Sequence, residues 1–492
     1  MNLASTPDDH LTDLAIIGAG PAGLAAAITA REIGLSVTVL DEQSAPGGQI
    51  YRAVEDASGR ARARGWAFNL HDYGVGSKLV ARFRSSGAQY CPGQSVFDIS
   101  ADGGIGVLGP AGARWVEARR VLIATGAMER PVPVPGWTLP GVIGAGAVQA
   151  TMKSAGMVPG GHAVIAGSGP LVYLVAHQLL IAGGSVAGVL DTTPHANYRR
   201  AAPSLVRAAL SGNEVRRGLA WRRGLKKRVA VFRTGVDSLQ IEGTDTVEAI
   251  SFKAGGRRER IACDMVLLHE GVVPSTQLAM AAGAEHDYDP LQACWRPRMD
   301  DHGRTSVPGI LVAGDGARID GAELAVEAGH LAALAAAVDL DLIAPEEAAR
   351  QGAAARAKIA RKAPLRRFLD MLYRPRDEVL APPDDETIVC RCEEVTAGEL
   401  RQVAAMGCPG PNQAKAFTRC GMGPCQGRMC GLAAATILAE ATGQSVAETG
   451  HLRVRAPIKP ITVGELAALE GVGAPPETGP LLPTAPDDGE GP

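Results

Sequence analysis

At 492 residues the chain is long enough for two or three domains, each with its own core. Hydrophobic residues at 46% and charged residues at 21% describe a globular protein, and a net charge of −3 makes no case for nucleic acid or an acidic membrane surface as partner. Met1 to Asp13 lack the order of a signal peptide, and no window offers about 20 uncharged apolar residues; the expectation is a soluble, cytoplasmic protein without a transmembrane segment.

The first informative stretch runs from Leu14 through Gly18-Ala-Gly20-Pro21-Ala22-Gly23 into an Ala-rich segment, then on to Asp41 and Glu42. A short apolar run predicts a buried parallel strand, and the segment after the glycines predicts a helix. Gly18 permits the tight turn, Gly20 lets backbone approach a pyrophosphate, and Gly23 lets helix pack on strand. The amides at the helix start then face phosphate, aided by the helix dipole. A second strand ends in Asp41, with Glu42 beside it, about where an acid should hold the ribose of an adenine nucleotide.

Next comes Pro46-Gly47-Gly48-Gln49-Ile50-Tyr51-Arg52, a turn whose Gly48 and Gln49 can lie against a cofactor. There is no CxxC here or in the middle of the chain, which argues against a flavin-dithiol disulfide reductase. A buried strand then ends in Ala124-Thr125-Gly126. A second nucleotide-type unit follows, with Gly167 and Gly169 in its turn and Asp191 ending its next strand. The pattern is an internal repeat, but the third glycine of the second copy is Val172, which spaces helix from strand. That unit could hold an adenine nucleotide, NAD or ATP, or act as a scaffold. A basic run from Arg199 to Arg228 reads as a solvated helix face. His269 and Glu270 at a strand end read as a satisfied structural pair, and Tyr51 and Arg52 are the other weak candidates for chemistry; no catalytic base declares itself. Gly314-Asp315 closes another strand, where the acid can take a ribityl hydroxyl or cap the following helix.

These segments resemble the two-dinucleotide-domain flavoproteins of the glutathione and thioredoxin reductase type. The resemblance implies an α/β fold with two Rossmann-like domains, the second (136–274) inserted in the first (10–135 and 275–342), and FAD held by the first and last glycine segments. A helical linker is expected over 343–386.

Six of the nine cysteines crowd between Cys390 and Cys430. In a cytosolic context crowding favours metal over disulfides. Cys390 and Cys392 are the clear first pair, and Cys425 and Cys430, flanked by glycine turns and followed by a helix, the better second pair. Cys420 could replace Cys425, and Cys408 reads as structural. Four thiolates suit zinc or a [2Fe-2S] cluster, and beside a flavin the cluster is favoured. The segment resembles the bacterioferritin-associated ferredoxin type of [2Fe-2S] domain, which implies Cys390, Cys392, Cys425 and Cys430 as ligands in a small helical domain over 387–452. Residues 453–492 are expected to be a largely disordered tail.

Together the two resemblances are those of the large (α or A) subunit of heteromeric FAD-dependent amino- and imino-acid dehydrogenases, the opine oxidase, hydroxyproline and proline dehydrogenase, and hydrogen cyanide synthase group. That implies an amino-acid-oxidase-like catalytic flavoprotein partner, a small ferredoxin-like subunit, and a respiratory acceptor that brings the complex to the inner membrane through its partners. The alternatives are a self-sufficient NAD(P)H-dependent FAD/iron–sulfur reductase and a scaffold subunit.

Overall fold

The computed structural model describes residues 11–56, 70–100 and 103–469. Along the chain, β1 (Thr12–Ile17) leads into α1 (Pro21–Ile33) and β2 (Val37–Asp41), followed by β3 (Gln89–Pro92), β4 (Ser95–Ile99), β5 (Gly104–Gly109) and the long β6 (Gly112–Ile123). β1 is buried on both faces, as its unbroken apolar run requires. α1 starts with Pro21 at its first position and stops at Gly34, whose φ of 105° closes the helix in the left-handed region.

After β6 the chain leaves through β7 (Ala127–Glu129) and builds a second unit. This comprises β8 (Val142–Gly144), α2 (Ala145–Ala155), β9 (His162–Ser168), α3 (Pro170–Ile181), β10 (Ser185–Asp191) and β11 (Val231–Thr234). An antiparallel meander of β12 (Asp237–Glu242), β13 (Ala249–Ala254) and β14 (Arg257–Ala262) leads on to β15 (Met265–Glu270). Its parallel sheet has the order β11-β10-β9-β15-β8. The chain returns through β16 (Val272–Pro274), which pairs antiparallel with β7, so exit and re-entry form one ribbon. β17 (His286–Asp289) and β18 (Cys294–Pro297) make a hairpin. β19 (Ile310–Val312) then rejoins the first sheet beside β6, giving seven strands in the order β3-β2-β1-β6-β5-β4 with β19 on β6. The second unit is thus inserted in the first, as expected.

α4 (Ala322–Asp339) crosses α1 with Gly329 on Ala22; any side chain at Gly329 would overlap the Ala22 carbonyl. The expected linker is helical but packed: α5 (Ala353–Leu372) buries Leu365, Phe368 and Leu372 against Ala201 and Ala208 of the second unit. Arg376 then donates to the Thr192 carbonyl at 2.7 Å. The C-terminal unit is a two-strand hairpin, β20 (Ile388–Cys390) and β21 (Val395–Thr396), with α6 (Ala397–Ala405), α7 (Pro411–Thr418) and α8 (Gly431–Thr442). Thr396 and Glu399 form a reciprocal capping box at the start of α6.

The expected tail boundary at 453 is corrected. Residues 453–469 return to the first sheet, where Val454 and Ile458 are buried beside Val96 and Ile99, and the Ile458 amide donates to the Phe97 carbonyl at 2.8 Å. Two buried aliphatics are enough to pin a segment whose composition reads as loop. The rest of that expectation, 470–492, lies outside the described residues. Among the described residues no helix is long and apolar enough to cross a membrane.

Candidate cofactor cradle and thiol centre

One end of the first sheet gathers the glycines singled out above. Gly18 has φ +103°, and a Cβ on it would stand 2.6 Å from the Ala124 carbonyl oxygen. A Cβ on Gly23 would overlap the Gly18 carbonyl, and one on Gly48 would lie 2.8 Å from the Gly20 Cα. These positions admit only glycine because backbone meets backbone. Pro21 carries no amide hydrogen and the Leu24 amide already bonds to Gly20 O. That leaves the Ala22 and Gly23 amides as the orphan donors of the first turn of α1.

Asp41 ends β2 and accepts from the Ala19 amide at 3.3 Å and the Gln43 amide at 3.1 Å, and burial pushes its carboxyl above the ordinary range. Glu42 points elsewhere: it accepts from Ser95 Oγ at 3.0 Å and pairs with Lys459. Gln49 holds Arg52, whose Nε lies 3.2 Å from Gln49 Oε1, while Tyr51 is buried in the core. Lys153 of α2, which sequence reasoning passed over, reaches across from the second unit to donate to Ile50 O at 3.0 Å.

The strand ends close the cradle. Thr125 Oγ1 donates to Ser275 O at 3.2 Å, and the Ser275 amide donates to Gly126 O at 3.0 Å. A Cβ on Gly314 would stand 2.8 Å from Ala22 Cβ. Asp315 Oδ1 accepts from the Gly321 and Asp320 amides at 2.8 and 3.0 Å, in the turn just before α4. The first-unit residues Gly18, Gly20, Gly23, Gly48, Ala124, Thr125, Gly126, Gly314 and Asp315 therefore share one sheet end.

The second unit is built differently. A Cβ on Gly167 (φ +143°) would overlap the His269 carbonyl, so that glycine serves strand packing. Asp191 is buried and already satisfied, by Tyr173 O–H at 2.6 Å, Tyr198 O–H at 3.4 Å and the Thr193 amide at 2.9 Å. Val172 is buried in this unit's core. His269 Nδ1 lies 2.8 Å from Glu129 Oε1, which also accepts from the Gly146 amide at 2.8 Å, at the start of α2. Glu270 accepts from Ser168 Oγ at 2.8 Å and Thr192 Oγ1 at 2.6 Å, and burial raises its pKa. Both members of the pair at 269–270 thus have hydrogen-bond partners within the fold. Arg130, hidden in the sequence among prolines, is buried and donates to three carbonyls, those of Glu270, Ala293 and Gln292 at 3.0, 2.9 and 2.6 Å.

The thiol centre lies between the β20–β21 hairpin and the loop 419–430. The sulfurs of Cys390, Cys420 and Cys430 lie within 4.8 Å of one another and all three are buried. Cys392 is exposed and hydrogen-bonded to Cys425, which is half-buried. The expected four are thus near one another, but the tight group joins Cys390 and Cys430 to Cys420. Hydrogen bonds from Cys420 and Cys430 favour the thiolate form of Cys390 and pull its pKa down, and the bond to Cys390 in turn pushes the Cys420 thiol up. Gly423 lies flat on Cys392, with no room for a Cβ. Cys408 donates to Gly410 O at 3.3 Å, as a structural cysteine.

The loop does not stand apart from the cradle. Gln426, Gly427 and Arg428 face Met128, Val273 and Thr276 across one cleft, one residue from the Ser275 that bonds Gly126. Trp137 Nε1 donates to Ile388 O at 2.6 Å, pinning the cysteine hairpin to the second unit. On the other side His451 stacks edge-on against Trp295 and His286, at 5.0 and 5.5 Å between ring centroids.

Burial keeps His286 neutral, with its pKa pushed down to about 4, its Nδ1 2.8 Å from Ala284 O and its Nε2 without a partner. The folded value lies below the ordinary value of about 6.5. Stability from this site is therefore complete above about pH 6.5 and is lost as pH falls toward 4. The expected result is about 3 kcal/mol lost across that window, seen as a falling Tm, and a flatter profile for His286→Phe.

Comparison with known proteins gives the following. The pyridine nucleotide-disulphide oxidoreductase family matches residues 12–331, and the sarcosine oxidase A3 domain matches 385–470. The A subunit of opine oxidase from Agrobacterium tumefaciens (strain Ach5) is 43% identical over 93% of this chain and 92% of its own. Hydrogen cyanide synthase subunit HcnB of Pseudomonas aeruginosa is 32% identical over 91% of this chain and 96% of its own. Among solved structures, L-proline dehydrogenase from P.horikoshii superposes with a TM-score of 0.68 at 20% identity, covering 93% of this chain and 79% of that one, a likeness of fold.

Proposed function

The chain belongs to the pyridine nucleotide-disulphide oxidoreductase family and stands with the opine oxidase A subunits, and from that membership we propose that it is the FAD- and [2Fe-2S]-bearing, electron-accepting subunit of a heteromeric amine or amino-acid dehydrogenase. It is a subunit of a flavin-dependent oxidoreductase acting on C–N bonds. FAD is assigned to Gly18, Gly20, Pro21, Ala22, Gly23, Asp41, Gly48, Ala124, Thr125, Gly126, Gly314 and Asp315. The cluster is assigned to Cys390, Cys392, Cys425 and Cys430. The residues fit these groups: the glycine contacts clear a backbone-lined cradle, and a buried trio of thiols, Cys390, Cys420 and Cys430, stands beside the hydrogen-bonded pair Cys392 and Cys425. When bound, the flavin supplies two-electron and the cluster one-electron exchange.

The observation that carries the reading is the seating of the cysteine loop across the cleft from Met128, Val273 and Thr276, beside the cradle's Thr125–Ser275 contact. Within this chain, Asp41 and Asp315 order the turns, Arg130 ties the end of β15 to the start of β18, and Trp137 holds the hairpin. Among the described residues we assign none to take a proton from an amine. That chemistry belongs to a separate, amino-acid-oxidase-like flavoprotein, and the subunit designations of the relatives support such a partner. A respiratory acceptor and a small ferredoxin-like subunit complete the proposal.

The test is anaerobic addition of an opine to the co-purified complex. The flavin band at about 450 nm should bleach and a reduced-cluster spin signal should grow. Undiminished turnover of the partner after this chain has lost its FAD would favour the scaffold reading instead.

The self-sufficient reductase reading meets a specific obstacle. The acid that should hold a nicotinamide dinucleotide's ribose, Asp191, is already taken by Tyr173, Tyr198 and Thr193. NADH or NADPH mixed anaerobically with the chain should leave the band at about 450 nm oxidised; bleaching within seconds would restore that reading.

A further inference from the structure

We infer that Cys390, Cys420 and Cys430 form a single-ion thiolate site for a borderline-soft divalent cation such as zinc or ferrous iron, sharing Cys390 and Cys430 with the two-iron centre. The inference rests on the thiol-centre reading above. Its basis is a count. A two-iron cluster holds two thiolates on each iron, so only pairs of terminal sulfurs can be mutually close. Here three sulfurs lie within 4.8 Å of one another. Thiolates bound about 2.3 Å from one tetrahedral ion stand about 3.8 Å apart, so the trio needs only a small contraction to enclose an ion.

Burial separates the two sets. Cys390, Cys420 and Cys430 are 1%, 2% and 0% exposed, whereas Cys392 is exposed and Cys425 half-buried. Cys420 is brought inward by Arg419 in the left-handed region (φ 62°), and Leu452 fills the space over Gly421 and Gly427. The pair Cys392 and Cys425 meets on the outer side, where Cys392 rests on Gly423. Five thiols thus serve two modes, an inner set of three for one ion and the outer pair with Cys390 and Cys430 for the cluster. Each thiol that binds gives its proton to solvent, and no electron is transferred. The fourth position on the single ion falls to water. Cys420, a cysteine the cluster does not use, then has a role.

The experiment uses the full chain with iron removed anaerobically, and cobalt(II) as the probe. One cobalt per chain should bind, with thiolate-to-cobalt absorption. Cys420→Ser should weaken cobalt binding about 100-fold or more and still accept a cluster from iron and sulfide with the wild-type spectrum. Cys392→Ser and Cys425→Ser should do the reverse. Cys408→Ala, which removes a buried cysteine outside both sets, should change neither, and bound flavin should report that each variant is folded. Unchanged cobalt affinity in Cys420→Ser would overturn the inference, as would loss of the cluster in that variant. A wild-type chain that binds cobalt and never forms a cluster would sink the two-iron reading and leave the single-ion site standing.

Discussion

Gly23→Ala is expected to purify without flavin. The added methyl would overlap the Gly18 carbonyl and press on the Ile16 side chain at 3.2 Å. Neither can yield cheaply, because Gly18 is fixed from its other face by Ala124 and Ile16 lies in the core. Lifting α1 from β1 would also disturb its crossing with α4 at Gly329. The cost is about 3 kcal/mol or more, at the high end for overpacking since backbone rather than side chain must move. The ratio of flavin to protein absorbance and a thermal melt read the two effects. Gly34→Ala, at a helix end with open space around it, should cost less and keep the flavin, its penalty being the positive φ alone.

Gly423→Ala is the second large effect. The residue is itself no ligand, yet a methyl there would overlap the Cys392 Cβ. The hairpin cannot retreat, since Trp137 stands behind it, donating to Ile388 O and lying under the hairpin's own Arg391, whose guanidinium is 5.3 Å from the Trp137 ring centroid. Iron and sulfide content should fall to near background while bound FAD stays at the wild-type level. A variant that keeps its full cluster would show that Cys392 is free to move, and would remove it from the ligand set.

The cradle was legible because its constraint is written in residue type: where backbone meets backbone, only glycine serves, and Gly18, Gly23 and Gly48 say so in one dimension. The insertion of the second unit in the first came from the family resemblance that these segments carry, not from the glycines themselves. The fate of Asp191 was not, because the two phenols that occupy it come from separate helices and spacing carries no hint of their direction. Nor could spacing rank Cys420 against Cys425: it gives the residues within one loop but not the distance from that loop to Cys390 on another. Arg130 escaped because its partners are carbonyls, which every residue has. The segment 453–469 was misread because Val454 and Ile458 are too few to make a periodic pattern.

That returning segment bears on how the molecule works. The cysteine domain is entered through a hairpin pinned at Trp137 and left through an irregular stretch held at Phe97, with Lys459 paired to Glu42. A domain moored at both ends is a fixed terminal rather than a swinging arm. On the proposed reading, charge exchange between the flavin and the cluster should therefore be insensitive to solvent viscosity, and the external carrier is what travels.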